Sequence, residues 1–226
     1  MRQPGGLGRV VLLPGCGLAS GSRKDSTMPS IYQLKPAFQG LLRPLVIRLY
    51  HAGITANQVT LAAALISLLI GGVVALFAAQ PWLFVLIPLW MLLRMALNAI
   101  DGMLAREFGQ QSRLGAYLNE LCDIVADAAL YLPFALLPGV WPGAVVLVTL
   151  FAMVSEYAGV MGPLAGASRR YDGPMGKSDR AFVFGVLAVG VASGALPSAW
   201  LNAFLVLITL LCAVTALNRV RKGLQE

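Results

Sequence analysis

The sequence predicts an all-α membrane protein with six transmembrane helices, preceded by an amphipathic helix that lies in the membrane interface. Three observations support this fold class. Of 226 residues, 58% are hydrophobic and 12% are charged, and the mean hydropathy is +0.76. Soluble domains are roughly 45–50% apolar and about 25% charged, so this composition excludes most soluble enzymes and disordered chains. Long apolar stretches also recur along the chain, and basic residues are confined to alternate loops.

The amphipathic helix is expected over residues 31–51, where Leu, Phe, Ile and Tyr alternate with basic residues. Pro36 and Pro44 are expected to break it. Residues 1–27, rich in Gly, Ser and Arg, are expected to be a disordered extension or the result of a start codon assigned too early. The remaining 28–226 would then form a single membrane domain.

The first span begins after a turn in which Thr55 and Asn57 are good helix-capping residues. Six apolar stretches follow, at about 58–79, 82–105, 115–138, 142–166, 180–195 and 199–218. Polar or Pro/Gly-rich segments separate them. One span takes about 20 apolar residues, so each stretch is close to the length that a bilayer requires.

The charge distribution predicts how the chain is oriented. The formal net charge is +7, which would suggest nucleic-acid binding in a soluble protein, but here it indicates topology and anionic lipid headgroups. Sixteen of the 17 basic residues lie before the first span, after the last, or in the two loops that follow spans two and four. The positive-inside rule then places both termini and the even-numbered loops on the cytoplasmic side of the membrane, with no nucleic acid as partner.

Ionisable residues inside spans are costly and usually functional. Asn98 and Asp101 are three residues apart on the second span, and Asn119, Asp123 and Asp127 are each four apart on the third, so each set shares a helix face. The two spans are expected to pack as antiparallel neighbours with these faces together. Carboxylate and amide oxygens suit Mg²⁺ or Mn²⁺. The spacing alone fits an ion-pair cluster in a transporter core equally well.

Small and basic residues flank this set. Gly102 and Ala105 leave room beside Asp101 for a flat or phosphorylated ligand. Arg106 and Ser112 are expected at the mouth, where a phosphate would bind.

The run from Asn98 to Asp123 resembles the signature of the CDP-alcohol phosphotransferase (phosphatidyltransferase) family, D-x2-D-G-x2-A-R-x8-G-x3-D-x3-D, and every spacing agrees over 26 residues. The stretch GITANQVTL also resembles the turn before that family's first span. The resemblance covers about residues 30–222 and extends to a bacterial inner-membrane subgroup with runs such as NALDGMLAR and LNE. It implies an enzyme that uses an alcohol to displace CMP from a CDP-linked substrate, across a dinuclear metal site at the cytoplasmic interface. Members of this family often form homodimers.

The resemblance also implies residue roles. The metal ligands would be Asn98, Asp101, Asn119 and Asp123, and Asp123 would also be the catalytic general base on the acceptor hydroxyl. The CDP part would be held by Asn57, Gln58, Gly102, Ala105, Arg106, Ser112 and Gly115.

The sequence departs from the signature at Asn98 and Asn119, where the family has aspartate. We compare the net charge of the site with a diphosphate bound. When only Asp101 and Asp123 are charged, the site needs one divalent ion to reach the net charge that a site with four aspartates reaches with two. We therefore expect one or two Mg²⁺ or Mn²⁺ ions, the second bound weakly or not at all. Glu120 and Asp127 are candidate additional metal ligands.

An interfacial site lets two acyl chains stay in lipid while the cytidine stays in water, which favours CDP-diacylglycerol as donor and a polar alcohol as acceptor. Transfer of a CDP-linked headgroup to diacylglycerol is the reverse possibility. A catalytically lapsed member that binds CDP-lipid or a partner synthase, and a small transporter, are the alternatives from other classes.

Basic residues between spans four and five are candidates for binding an acceptor phosphate: Arg169, Arg170, Lys177 and Arg180. The simpler interpretation is that they are ordinary positive-inside flanking residues. Arg94 and Glu156 lie in different spans and are expected to form an intramembrane ion pair, with acceptor binding as the second interpretation.

Overall fold

The computed structural model describes residues 31–226, with side chains from residue 38 onward. Within that range the chain is helical and contains no strand, as the sequence predicts. The α-helices are α1 Ile31–His51, α2 Ala56–Leu76, α3 Leu86–Glu107, α4 Arg113–Tyr131, α5 Pro142–Val160, α6 Lys177–Ala192 and α7 Ser198–Gly223. Short 3₁₀ turns cover Pro81–Val85, Leu132–Leu136 and Gly162–Ala165. The expectation for residues 1–27 lies outside the described residues.

Each predicted apolar stretch coincides with one helix from α2 to α7. Four segments are long and apolar enough to cross a membrane: Ala56–Leu76, Pro81–Glu107, Pro142–Val160 and Ser198–Gly223. The other two differ for separate reasons. Helix α4 carries Glu120, Asp123 and Asp127, and α6 has 16 residues where a span takes about 20. Six spans, and the interfacial position of α1, therefore remain predictions.

Helix α1 is continuous, so the expected breaks at Pro36 and Pro44 are wrong. A proline inside a helix removes one backbone hydrogen bond and crowds the carbonyl four residues earlier. For Pro44 that residue is Gly40, which is exposed, so water can hydrogen-bond the carbonyl that receives no backbone amide. Val46 of α1 packs with Ile100 and Leu104 of α3 in a small apolar cluster.

Helix α2 is the common neighbour of α3 and α4, and these two contact each other much less than each contacts α2. A Cβ on Gly71 would overlap the Ala129 carbonyl, so this glycine permits the close approach of α2 and α4. The Trp90 indole of α3 donates to Ser67 Oγ of α2 at 2.8 Å. Because α3 and α4 have little backbone contact, side chains connect these two helices.

The second half of the bundle pairs α5 with α7 and lays α6 against α3. The rings of Tyr131 and Phe184 stack with centroids 3.8 Å apart, joining the end of α4 to the middle of α6. This contact brings the first turn of α6 beside the acidic residues of α4, where Lys177 meets Asp123.

Candidate functional site

A cleft of about 660 Å³ opens between the starts of α2 and α4 and the end of α3. It brings together ten residues that the sequence predicted for the site: Asn57, Asp101, Gly102, Ala105, Arg106, Ser112, Gly115, Asn119, Glu120 and Arg169. Two helix N-termini meet this cleft, and their backbone dipoles favour a negatively charged ligand.

The start of α2 is fixed by a reciprocal cap. Thr55 Oγ1 accepts from the Gln58 amide at 3.3 Å, and Gln58 Oε1 accepts from the Thr55 amide at 2.9 Å. The Ala56 amide donates to Gln110 Oε1 at 2.7 Å, which ties the α3–α4 loop to this helix end. The structure thus uses Gln58 to cap α2, whereas its neighbour Asn57 lines the cleft.

The start of α4 forms the opposite wall. Ser112 caps the helix, because its Oγ accepts from the Gly115 amide at 2.9 Å. Gly115 lies against Asn57, and a Cβ there would come 2.7 Å from Asn57 Oδ1. The absence of a side chain at this position keeps the two helix starts close together.

Asp101 is buried at the cleft with a relative exposure of 6%. Its Oδ2 accepts from Thr60 Oγ1 at 2.9 Å, and the described part of the chain offers it no basic partner. Sequence reasoning missed Thr60. Its only signal was a hydroxyl one turn into an apolar helix.

Asp123 and Asp127 face cations instead of the cleft. Arg94 of α3 reaches Asp123 Oδ1 at 2.9 Å and Asp127 Oδ1 at 2.6 Å. Lys177, the first residue of α6, pairs with Asp123 Oδ2. A second cavity of about 210 Å³, lined by Asn98 among others, lies at these cations between α3 and α6. The structure therefore places Asp101 and Asn119 at the cleft and Asn98 at the second cavity, while Asp123 is held by the two cations.

The ion pairs continue into the bundle. Arg180 is fully buried and pairs with Asp127 at 3.3 Å and with Glu156 at 2.9 Å, and Arg219 reaches Glu156 at 3.4 Å. The expected Arg94–Glu156 pair is therefore wrong. Arg94 pairs with Asp123 and Asp127, whereas Glu156 pairs with Arg180 and Arg219. An arginine near the start of α6 competes for Glu156 more directly than one on α3.

The other loop cations have separate partners. Arg170 pairs with Asp172 at 2.9 Å and with Glu226 at 2.5 Å, away from both cavities. Hydrogen bonds from Lys222 and Arg170 lower the pKa of Asp172 below its ordinary value.

Arg169 reaches the cleft itself. Its Nη2 donates to Glu120 Oε2 at 2.8 Å, and its guanidinium lies 5.0 Å from the Tyr171 ring centroid. Asn119 Nδ2 donates to Glu120 Oε1 at 3.2 Å, and the amide oxygen of Asn119 has no donor among the described residues.

Residues 31–226 contain no group of three or more His, Cys, Asp or Glu side chains that could hold a metal ion. Two of the four signature positions are amides, and Asp123 is engaged by two cations. Glu120 and Asp127, the candidate additional ligands, are also paired with arginine. Asp101 and Asn119 are the signature oxygens that face the cleft without a basic partner.

Comparison with known proteins gives the same family as the signature. The family model described as CDP-alcohol phosphatidyltransferase matches residues 53–217. The inner membrane protein YnbA of Escherichia coli (strain K12) is 46% identical over 195 residues, covering 86% of this chain and 96% of that protein.

Two solved structures share the fold. Both are the Mycobacterium tuberculosis phosphatidylinositol phosphate synthase PgsA1. The structure with manganese and citrate has a TM-score of 0.64 at 19% identity, covering 80% of this chain and 87% of that one. The structure with CDP-DAG bound has a TM-score of 0.65 at 18% identity, covering 80% and 92%.

Proposed function

The chain belongs to the CDP-alcohol phosphatidyltransferase family, and we propose that it transfers the phosphatidyl group of CDP-diacylglycerol to a polar alcohol with release of CMP, in phospholipid synthesis. The observation that carries this proposal is the cleft between α2, α3 and α4, which gathers the signature residues Asp101, Gly102, Arg106 and Gly115 beside Asn57. The PgsA1 structure with CDP-DAG bound supports the same substrate class.

The cleft suits the CDP part of such a donor. The diphosphate lies toward Arg106 and the two helix starts, whose dipoles and side chains offer positive charge to its oxygens. Gly102 and Gly115 leave their walls open, which allows a flat or branched group to approach the backbone.

In the reaction, the acceptor oxygen forms a bond to the phosphorus of the phosphatidyl group, and the bond from that phosphorus to the CMP oxygen breaks. Asp123 is the proposed acceptor of the hydroxyl proton, but Arg94 and Lys177 hold both of its oxygens, so one of these cations has to leave Asp123 before the proton is transferred. CMP leaves with the bonding electron pair. Catalysis of this kind is largely positioning and charge neutralisation.

Mg²⁺ or Mn²⁺ is the metal that the oxygen ligands favour, and when bound it neutralises charge on the diphosphate. Asp101 fits this role, because it is a buried carboxylate whose contact is the Thr60 hydroxyl rather than a cation. The amide oxygen of Asn119, which lines the same cleft, would be the second ligand. Manganese in the PgsA1 structure supports this choice of ion.

Arg169 at the cleft and Lys177 at the second cavity are the candidate ligands of an acceptor phosphate, which would have to displace Glu120 from Arg169 or Asp123 from Lys177. Arg180 and Arg170 are less suited, because Arg180 is buried between Asp127 and Glu156 and Arg170 holds Glu226. The sharpest comparison uses phosphorylated and plain alcohol acceptors with Lys177→Ala and Arg169→Ala. If the variants lose the same fraction of CMP release with both kinds of acceptor, the pocket is not specific for phosphate.

We place the enzyme in the bacterial inner membrane with both termini and the cleft on the cytoplasmic side. The inner-membrane relative, the four long apolar helices and the positions of the basic loops support this location. Helices α4 and α6 complete six spans, because their charges pair with each other inside the bundle and are shielded from lipid. A homodimer fits the family resemblance.

A lapsed enzyme that binds CDP-lipid without turnover is the second candidate. It is favoured by the two amides at signature positions and by the two cations on Asp123.

The deciding experiment measures CMP release by the purified protein in nanodiscs with CDP-diacylglycerol, Mn²⁺ or Mg²⁺, and a panel of alcohols. CMP release that depends on one alcohol, and that Asp123→Asn abolishes, supports the transferase. Binding of CDP-diacylglycerol without CMP release from any acceptor supports the lapsed enzyme. Turnover that Asp123→Asn leaves unchanged would refute Asp123 as the base.

A further inference from the structure

The signature ligands fall into two halves with opposite electrostatics. One half, Asp101 and Asn119, lines the cleft, and its carboxylate has no basic partner among the described residues. The other half is Asn98 and Asp123. Asn98 lines the second cavity with Arg94 and Lys177, and those two cations hold both oxygens of Asp123.

A buried carboxylate without a cation is expensive, because burial removes the water that would stabilise its charge. Asp101 is 6% exposed and accepts a hydrogen bond from the Thr60 hydroxyl, which is a neutral donor. The structure thus leaves one negative charge uncompensated on the wall of an open cleft, which is the arrangement that attracts a cation.

The network at the second cavity has the reverse balance. Its three carboxylates, Asp123, Asp127 and Glu156, pair with four cations, Arg94, Lys177, Arg180 and Arg219. This network is already net positive, and a divalent ion brought to Asp123 would be repelled by it.

We infer that this chain holds a single divalent cation, at Asp101 and Asn119, and that the ammonium group of Lys177 occupies the position on Asp123 that a second ion would need. The protein therefore supplies one of its two site cations from its own side chains. This inference rests on the proposed function for the identity of the site, but its measurement is metal binding rather than turnover.

The position of Lys177 at the capped start of α6 makes it suitable for this role. It is the first residue of the helix, and the Gly176 amide before it donates to Asp179 Oδ2 at 3.0 Å, which caps the helix start. A lysine anchored there presents its ammonium group to Asp123 from a fixed helix end.

The test counts Mn²⁺ ions on the full-length protein in nanodiscs, after removal of metal with EDTA, from the electron paramagnetic resonance signal of free Mn²⁺. The wild type is expected to bind one ion per chain. Asp101→Asn should lower the affinity for that ion more than about 100-fold, since loss of even a hydrogen-bond partner of a ligand lowers metal affinity about 10–100-fold. Two ions of similar affinity on the wild type would overturn the inference.

The role of Lys177 is isolated with Asn98→Asp, which returns a carboxylate to the second cavity. Asn98→Asp alone should still bind one Mn²⁺, because Lys177 remains on Asp123. Asn98→Asp combined with Lys177→Met should bind two, and Asn98→Asp combined with Lys177→Arg should bind one. A single ion on the Asn98→Asp, Lys177→Met protein would overturn the role of Lys177.

Lys222→Met is the matched control, because Lys222 pairs with Asp172 far from the cleft and should leave the count at one. The inference and the proposed function fail separately. CMP release with two bound ions refutes the inference and keeps the transferase. One bound ion without CMP release refutes the transferase and keeps the inference.

Discussion

Arg94 of α3 donates to Asp127 of α4 at 2.6 Å, and the same guanidinium reaches Asp123 one helical turn earlier. The side chain of Arg94 is 5% exposed and that of Asp127 is 10% exposed. Helices α3 and α4 make little direct backbone contact, and these two ion pairs link them inside the bundle.

Arg94→Met should therefore destabilise the fold, since it leaves two carboxylates facing one fewer cation. Breaking a buried pair by removing one partner costs about 3–5 kcal/mol. The free energy of unfolding in mixed micelles measures this loss. Arg43→Met is the matched control, because the Arg43–Glu107 pair is exposed and should contribute less than about 1 kcal/mol. Equal losses for both variants would contradict the structural role of Arg94.

Gly115→Ala should impair substrate binding while the fold survives. The new methyl group would lie 2.7 Å from Asn57 Oδ1 and 3.0 Å from Ser112 Oγ, so it pushes these two residues and narrows the cleft. We expect the KM for CDP-diacylglycerol to rise about tenfold or more, as a steric cost of about 1–3 kcal/mol implies. Gly143→Ala has open space around its Cβ and serves as the control. An unchanged KM would show that the donor does not contact this wall.

The helices were predictable from the sequence because apolar stretches and helix caps are local signals, as Thr55 shows; the capping role of Ser112 was not predicted. The cleft was largely predictable because its residues share one motif. The separation of Asp101 and Asn119 from Asn98 and Asp123 was not predictable from the sequence. It depends on Arg94 and Lys177, which come from different helices and are brought to Asp123 by the packing of α6 on α3. Spacing along α4 indicates which face Asp123 occupies, but not which cation reaches it first.

Gly71→Ala should weaken the bundle, whereas Gly72→Ala should not. A Cβ at Gly71 overlaps the backbone carbonyl of Ala129, which cannot move aside like a flexible side chain, while a Cβ at Gly72 meets no atom within 4 Å. Overpacking of this kind costs about 1–3 kcal/mol. Thermal unfolding of the two variants in the same detergent measures the difference. The same Tm for both would contradict the close packing of α2 on α4.

Thr60→Val tests the hydrogen bond to Asp101 through metal affinity. The valine keeps the shape of the side chain but removes the hydroxyl that donates to Asp101 Oδ2, so the carboxylate is less well oriented toward the cleft. Loss of such an outer partner should weaken Mn²⁺ binding 10–100-fold. Thr209→Val is the control, because Thr209 also bonds the carbonyl four residues earlier but lies on α7. Equal Mn²⁺ affinity in both variants would remove Asp101 from the metal site.

Acid should release the C-terminus from the loop between α5 and α6. Ser168 and Arg170 donate to Glu226, and these bonds lower the pKa of Glu226 below its ordinary value of 4.5. A lowered pKa in the folded state means that the stabilisation is fully present above about pH 4.5 and is lost as the pH falls through the lower folded value. Glu226→Gln should therefore have a slightly lower Tm than the wild type at pH 6, and the two Tm values should converge as the pH falls from about 4.5 through the lowered pKa of Glu226. A difference in Tm that stays constant down to pH 3 would show that Glu226 contributes through something other than its charge.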